Sequence, residues 1–423
     1  MTFFHASGVG SGQLRWAQPV ATVDGAVMPE FDAYLMVDWS ASSRPVTGGD
    51  SVWYCLVVRT GDNLSIVALE NPATRRRAIA EINDVLRGLA RREQMALVGF
   101  DFPYGYPAGS AAALGLTETP AWLGVWREIA SRIVDRDDNS NNRFEVAGDL
   151  NHRISGGCYP FWGCPHGRES ATMSCTKGGP GRLAEKRLTD IGNMQPIWKL
   201  YGNGSVGSQV LLGIPHLTAL RNDAVLSPVS RVWPFETGLV ALPSRPKRDY
   251  LIVHAEIYPS LLPIQPFAGE VKDAVQVRMM AAHFAALDDA WELSTLFAGP
   301  AYLTREDRET VEREEGWTLG VLSGQQVQPR LALQPPAVPP STRTTLTGTL
   351  RHRAGSGRTT APGYHNRNGQ TVLRSTGLAG TDHGQSVYVL QCSRCRHEYG
   401  ANGSDIFQRR CPACQGGKPG LVY

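Results

Sequence analysis

Four cysteines near the C-terminus have the residue type and the spacing of a metal site. Cys392 and Cys395 form one CxxC pair, and Cys411 and Cys414 form a second pair after fifteen intervening residues. Each pair places two thiolates on one tight turn, and two such turns side by side supply the tetrahedral shell that Zn2+ prefers. Two disulfides or redox-active pairs are the alternative. The spacing predicts a zinc ribbon with Zn2+ as a structural cofactor.

Acidic residues end three short apolar runs that are typical of buried strands. These residues are Asp38, Asp101 and Glu256. Because ligands gather at the carboxyl ends of parallel strands in an open sheet, we expect the three acids at one edge. Asp273, in the first turn of a predicted helix, can point to the same place. Mg2+ or Mn2+ would neutralise four such carboxylates, and two ions about 4 Å apart would hold both the attacking and the leaving oxygen of a phosphodiester.

Each acid also has a simpler explanation. Asp273 would cap or complement its helix N-terminus. Asp38 would anchor a turn with Ser40 and Ser42, and Glu256 would pair with an arginine. The shared arrangement at three strand ends favours a common metal site over three separate roles.

A glycine-rich segment offers a candidate phosphate site. Gly202, Gly204 and Gly207 match the GxGxxG pattern of dinucleotide-binding loops, and Lys199 precedes them. The residues before the motif are a poor buried strand, and no strand-ending acid follows about 20 residues later. A substrate-phosphate loop with Lys199 is favoured over a nucleotide cofactor site, and a plain structural turn is the first alternative to both.

A second group of soft ligands lies in the middle of the chain. Cys158, Cys164, His166 and Cys175 fall within 18 residues but match no common zinc module. They are a candidate second metal site, while no thiol is paired with a base as nucleophilic catalysis requires. Glu236, near aromatic residues, is a reserve ligand for the acidic site.

The elements that must position these residues follow from hydrophobic patterning. A helix is predicted between the third and fourth strands, with a stripe of apolar residues from Ile79 to Leu89, and a large insertion with helical stretches is predicted at about 105–230. The predicted strands are 33–38, 51–58, 64–69, 96–101 and 251–256, and a second regular helix is predicted at 271–287.

The chain is long enough for two or three units. We predict a flexible N-terminal arm at 1–32, an α/β domain at 33–325, a Pro-, Arg- and Thr-rich linker at 326–363 and a zinc module at 364–423. From Ser341 onward there are 11 Lys or Arg against 3 Asp or Glu, a balance of +8 that leaves −5 for the first 340 residues. The C-terminal part is therefore basic, and polyanions are its expected partners.

Targeting and membrane signals are not apparent in the sequence. Apolar runs fall short of the roughly 18–20 residues that cross a bilayer, and the N-terminus does not have a signal-peptide pattern. We therefore expect a cytoplasmic protein without a membrane partner. In a reducing compartment, eight cysteines indicate metal ligands or buried thiols rather than disulfides.

Four short segments, in order, resemble a family of uncharacterised bacterial proteins predicted to be RNase H-like nucleases. The resemblance covers about residues 33–300, and the long insertion departs from it. It implies an RNase H-like mixed sheet with flanking helices, and Asp38, Asp101, Glu256 and Asp273 as metal ligands. The matching segments are Val37-Asp38-Trp39-Ser40, Gly99 to Pro107, Glu256-Ile257-Tyr258-Pro259 and Lys272 to Gln276.

The leading hypothesis from the sequence is a divalent-metal-dependent nuclease (a hydrolase acting on DNA or RNA) whose basic zinc module helps to bind substrate or a protein partner. One alternative is a non-catalytic nucleic-acid-binding or assembly protein. Another is a nucleotide phosphohydrolase of the actin-like type, for which Asp38 to Ser43 is a faint phosphate loop.

Overall fold

Two units make up the chain, and each is built around its own sheet. They comprise Met1–Gln334 and Pro335–Tyr423. The computed structural model describes residues 22–23, 26–27, 29–117, 120–178, 183–192, 194–243, 247–263, 270–322, 358–379 and 386–421.

The secondary structure of the described residues is mixed. The strands are β1 (Thr22–Val23), β2 (Ala26–Val27), β3 (Ala33–Asp38), β4 (Trp53–Thr60), β5 (Asn63–Glu70), β6 (Ala96–Phe100), β7 (Ser230–Val232), β8 (Ile252–Glu256), β9 (Gln370–Ala379), β10 (Ser386–Cys392) and β11 (Glu398–Asn402). The helices are α1 (Arg75–Arg91), α2 (Ser110–Ala113), α3 (Ala121–Arg132), α4 (Arg143–Ser155), α5 (Gly207–Arg221), α6 (Lys272–Asp289), α7 (Leu293–Leu296) and α8 (Arg305–Thr310), with a π-helical turn at Val311–Glu315 and 3-10 turns at Pro259–Leu261, Arg358–Thr360 and Ile406–Gln408.

The first unit contains a six-stranded mixed sheet in the order β5-β4-β3-β6-β8-β7. β3, β4 and β5 pair antiparallel, whereas β6 joins β3 in parallel and continues in parallel to β8 and β7. The predicted α/β class, with a mixed sheet and flanking helices, is confirmed at this level. β7 was not predicted from the sequence. It lies at the end of the predicted insertion, and a strand of three residues is too short to show a hydrophobic pattern.

Helices cover both faces of the central strands. One face carries a core shared with α1, α3, α4 and α5, and the other carries a core shared with α6 and α7. Burial on both faces explains why β3, β6 and β8 are continuous apolar runs. β5, at the sheet edge, instead alternates between exposed and half-buried residues.

The second unit is a small antiparallel sheet in the order β11-β10-β9. Its core contains Tyr388, Leu390 and Tyr399 together with Cys392 and Cys411. Apolar side chains and the cysteine pairs therefore share one interior, which is typical of a domain too small to fold on apolar burial alone.

Most of the predicted arm and linker lie outside the described residues. The last residues of the arm are held in place, because the backbone N–H groups of Glu30 and Phe31 donate to the Asp288 carboxylate at 2.8 Å each. Phe31 is fully buried. Across the described ranges, no helix is both long enough and apolar enough to span a bilayer.

Arg75, the first residue of α1, is a buried ion-pair centre that connects three parts of the first unit. Its guanidinium donates to both carboxylate oxygens of Asp135 in the insertion, at 2.7 and 2.6 Å, and to the carbonyl oxygens of Ser40 and Ser42 after β3. Burial opposes ionisation of Asp135, but hydrogen bonds from Arg75 and His216 lower its pKa to about 2. Arg75 thus fixes the loop that follows Asp38.

Replacing Arg75 with Met should lower the free energy of unfolding of the first unit by about 3–5 kcal/mol, because Asp135 would remain buried without its main partner. Arg77→Met, on the exposed side of the same helix, should change it little. All ten tryptophans lie in the first unit, so urea unfolding followed by tryptophan fluorescence measures this unit alone. Equal losses in both variants would contradict the role of Arg75.

Candidate functional site

Asp38 and Asp101 lie on the same face at the carboxyl edge of the sheet. In the parallel register Val37 is aligned with Phe100, so each aspartate immediately follows one member of an aligned pair. Side chains alternate between the two faces of a strand, and Val37 and Phe100 belong to the core on the α1 side. Asp38 and Asp101 therefore project to the opposite face, where α6 packs.

Asp38 and Asp101 are held in an environment that disfavours two negative charges. Burial is the main cause that raises the pKa of Asp38 well above its usual range; the charges of Asp101 and Asp273 raise it further, and Lys272 opposes them. Burial likewise raises the pKa of Asp101 to about 7, against a 2.6 Å hydrogen bond from the Trp39 N–H. Among the described residues, no donor contacts the Asp38 carboxylate.

Asp273 and Asp50 complete the acidic cluster. Asp273 lies in the first turn of α6, and its Oδ2 accepts a 2.8 Å hydrogen bond from the backbone N–H of Asp50. The charge of Asp50 also raises the pKa of Asp38. Sequence reasoning missed Asp50, whose only signal is a Gly-Gly-Asp turn before β4 in which Asp50 adopts a left-handed φ of 57°.

Glu256 has a different role from the predicted metal ligand. Its two carboxylate oxygens accept bonds from both terminal nitrogens of Arg187 at 2.7 Å, and further bonds come from Thr318 Oγ1 and the Tyr104 N–H. Glu256 is aligned with Phe100 rather than with Asp101, so it points to the other face of the sheet. The arginine pairing, one of the two alternatives from the sequence, is what the structure contains.

The acids do not form a close-packed ligand shell. Among the described residues, two groups bring three or more possible ligand atoms within 4.8 Å of one another: the four C-terminal cysteines, and His166 with Glu169 and Cys175. Asp38, Asp101 and Asp273 are linked by their charges and not by such close contact. The structure therefore brings three of the four predicted acids to one edge without showing a Mg2+ or Mn2+ site.

A cavity of about 190 Å³ opens beside these acids. Asp38 and Asp101 line it together with both charged and uncharged polar side chains. Gln276, one turn after Asp273 on α6, is only 8 % exposed, and no described residue hydrogen-bonds its amide. The other polar residues of the cavity wall are Arg187, Asp190, Gln195, Ser205, Gln209, Glu256, Tyr258 and Ser260.

The glycine-rich segment borders this cavity through Ser205 and Val206. Its glycines have steric reasons: Gly202 and Gly204 have positive φ angles of 88° and 68°, and a Cβ on Gly207 would lie 2.3 Å from a backbone oxygen. Lys199 donates to a backbone oxygen of the same loop and lies over the Trp162 ring. These observations favour a structural turn. The turn also places the N-terminus of α5 beside the cavity.

The remaining candidates are largely engaged in ion pairs. The Glu236 carboxylate accepts two hydrogen bonds from the Arg221 guanidinium, at 2.8 and 2.6 Å. This ion pair explains why the acid lies near the aromatic residues without a metal. Two arginines of the insertion are likewise paired, Arg168 with Glu145 and Arg187 with Glu256.

The four C-terminal cysteines converge as their spacing predicts and could bind a metal such as zinc. Their sulfur atoms all lie within 4.8 Å of one another, with Cys392 3.7 Å from Cys414 and Cys395 3.5 Å from Cys411. Burial of Cys392 disfavours its thiolate, but backbone N–H groups of Cys395 and Arg394 outweigh this and lower the pKa of Cys392 to about 6. N–H groups directed at a thiolate are the second shell that a metal-bound sulfur uses.

The chain matches no protein-family model, and no curated protein or solved structure was found to be similar to it.

Asp101→Asn should stabilise the first unit by roughly 1–3 kcal/mol at pH 8 in the absence of divalent cations. The folded pKa of Asp101 is raised to about 7, so folding opposes its ionisation. The folding free energy lost by ionising Asp101 is absent below the unfolded pKa near 4. It grows as the pH rises and reaches its full value above pH 7. Urea unfolding followed by tryptophan fluorescence at pH 4 and pH 8 measures the difference. A gain at pH 4 as large as that at pH 8 would contradict this electrostatic explanation.

Replacing Cys392 and Cys411 with Ser should unfold the second unit, because both sulfurs are buried in its core. Trypsin should then cut rapidly at Arg374 and Arg394, as mass spectrometry of the fragments would show. Cys158→Ser is the matched control and should leave the digestion pattern unchanged. Equal protease resistance in both proteins would show that the cysteine cluster does not hold this unit together.

Proposed function

We propose that the first unit hydrolyses phosphodiester bonds in DNA or RNA, using one or two divalent cations held by Asp38, Asp101 and Asp273. The observation that carries the proposal is a pair of aspartates, Asp38 and Asp101, half-buried on one face of the sheet edge. No arginine or lysine forms an ion pair with either of them among the described residues. A cation of charge two at this point would remove the repulsion that Lys272 offsets only in part.

The topology supports this proposal. Three antiparallel strands, a helix and the parallel strands β6 and β8 place Asp38 and Asp101 at the ends of adjacent central strands, and the short parallel β7 is added at the edge. This is the arrangement of RNase H-like nucleases, which we propose as the fold family of the first unit. Asp273 would contribute from the first turn of α6, where its carboxylate faces the same edge.

The residues of the cavity would position the scissile phosphate. Mg2+ or Mn2+, when bound, supplies charge stabilisation and lowers the pKa of a water molecule. The N-terminus of α5 has neither an acidic residue in its first turn nor a side-chain cap. The Gly207 N–H donates to the Lys199 carbonyl oxygen, so the N–H groups of the next residues, Ser208 and Gln209, would bind a phosphate oxygen. Gln276, buried without a partner, offers a further amide donor from the α6 side.

Glu256 and Arg187 would act as positioning residues. Their two-point ion pair joins the end of β8 to the insertion, and Arg187 also donates to Asp190 at 2.8 Å. Because Arg187 is compensated by two carboxylates, it is not a free cation for substrate phosphate. Its contribution is to hold the wall of the cavity.

The second unit would supply affinity rather than chemistry. Its cysteine cluster would hold a structural Zn2+, and its positive charge would attract the nucleic-acid backbone. Arg409 is excluded from this surface, because it is 7 % exposed and donates to the Pro419 carbonyl oxygen. Arg394, Arg396 and Arg410 are exposed and remain for substrate contact.

Cleavage of labelled single-stranded, duplex and structured DNA and RNA should require Mg2+ or Mn2+ and be abolished by EDTA. Asp38→Asn and Asp101→Asn should each lower the cleavage rate by about 100-fold or more. Asp84→Asn, an exposed carboxylate on α1, is the matched control and should retain full activity. Gel-shift binding in EDTA should be similar for all three variants, since the second unit is intact.

The other candidate functions give different results in the same assay. Metal-dependent release of phosphate from ATP, without cleavage of nucleic acid, would identify a nucleotide phosphohydrolase. Binding without cleavage under any metal would identify a non-catalytic nucleic-acid-binding protein. Cleavage that survives in both Asp38→Asn and Asp101→Asn would contradict the proposed mechanism.

A further inference from the structure

Three metal-ligating side chains converge in the insertion, and a fourth, Cys164, lies beside one of them, more than 200 residues before the C-terminal cysteines. His166 Nδ1, Glu169 Oε1 and Cys175 Sγ lie within 4.8 Å of one another. The separations from Cys175 Sγ are 2.8 Å to Glu169 Oε1, 3.8 Å to His166 Nδ1 and 3.6 Å to the Sγ of Cys164. His166 Nδ1 is 3.4 Å from Glu169 Oε1.

We propose that Cys164, His166, Glu169 and Cys175 form a second zinc site, independent of the proposed nuclease activity. With Zn–S bonds of about 2.3 Å and Zn–N or Zn–O bonds of about 2.0–2.2 Å, a tetrahedral shell places sulfurs about 3.7 Å apart and sulfur about 3.5 Å from nitrogen or oxygen. The Cys164–Cys175 and Cys175–His166 separations are close to these values, whereas the exposed Glu169 carboxylate, 2.8 Å from Cys175 Sγ, would move outward to complete the shell. The Cys164–Cys175 separation also matches the sulfur separations of 3.7 and 3.5 Å in the C-terminal cluster.

The four ligands belong to a hairpin whose two limbs are held together before any metal binds. The backbone N–H of Gly163, beside Cys164, donates to the Ser174 carbonyl oxygen, beside Cys175, at 2.8 Å. The fully buried Asn151 donates to the carbonyl oxygens of Phe161 and Thr172, one on each limb, at 2.8 Å. Because these contacts fix the limbs, a metal would need to order only side chains.

The donor set selects the type of metal and excludes one predicted ligand. Two thiolates, an imidazole and a carboxylate suit Zn2+, whereas Mg2+ and Ca2+ require oxygen ligands. Cys158 does not belong to the site, because its Sγ is directed at the carbonyl oxygens of Ala171 and Ser170 at 3.4 and 3.8 Å. The sequence pattern predicts Cys158 as the fourth ligand. In the proposed site, Glu169 replaces it.

A metal in this hairpin would stabilise the segment that leads to the cavity. Trp162, two residues before Cys164, pairs with the segment at 198–200 through two backbone hydrogen bonds, Trp162 N–H to Trp198 O and Leu200 N–H to Trp162 O. The glycine-rich turn that carries Ser205 follows directly. The site is therefore structural, and its contribution is to hold one wall of the cavity.

Zinc content of the full-length protein, purified in a thiol-free reductant and measured by inductively coupled plasma mass spectrometry, tests the assignment. Wild type should contain two Zn2+ per chain. The C164S/C175S double variant and the C392S/C395S double variant should each retain one, and the quadruple variant should retain none. Cys158→Ser is the matched control and should retain two.

One Zn2+ in wild type that disappears entirely with C392S/C395S would overturn the proposal, as would a Cys164–Cys175 disulfide found by peptide mapping of the reductant-treated protein. Cobalt substitution of the C392S/C395S variant separates loss of binding from loss of folding. Co2+ bound to Cys164 and Cys175 should show thiolate charge-transfer and tetrahedral d–d absorption with native tryptophan fluorescence. Native fluorescence without these bands would also overturn it.

Discussion

The parallel register of β3, β6 and β8 is the constraint on which the acidic site depends. It aligns Val37, Phe100 and Glu256 across three strands, so residues one position later face the opposite side of the sheet. Asp38 and Asp101 occupy those later positions and meet α6. Glu256 occupies the aligned row and faces the insertion. A difference of one residue therefore separates the acids that share a site from the acid that binds Arg187.

The insertion and α6 then build the two sides of the cavity around this edge. On the insertion side, one guanidinium, that of Arg187, pairs with two carboxylates, those of Glu256 and Asp190. On the α6 side, Asp273 adds a third negative charge to Asp38 and Asp101, and Lys272 opposes them only in part. The negative charge is thus most concentrated on the α6 side. Such a concentration costs folding free energy, which a protein tolerates where a cation or substrate recovers it.

Hydrophobic patterning was sufficient for the central strands, because they are continuous apolar runs, and for α1 and α6, because they are helices of 17 and 18 residues with many buried apolar side chains. The cysteine cluster could also be predicted from the sequence, because each CxxC pair brings its two sulfurs together within one turn. The position of Glu256 at a strand end did not show which face of the sheet its side chain occupies. That face depends on the register between strands, which the sequence of one strand does not contain. Asp50 and Glu169 were missed for a related reason: each reaches its cluster through a turn whose shape the sequence does not specify.

The most direct measurement of the central claim is a crystal structure of the protein soaked in Mn2+, with anomalous diffraction recorded to locate the ion. Our account predicts an anomalous peak at the sheet edge, about 2.0–2.2 Å from carboxylate oxygens of Asp38 and Asp101, with Asp273 ordered toward it. Mn2+ at other sites with no peak between Asp38 and Asp101 would contradict the claim that these aspartates form a divalent-cation site.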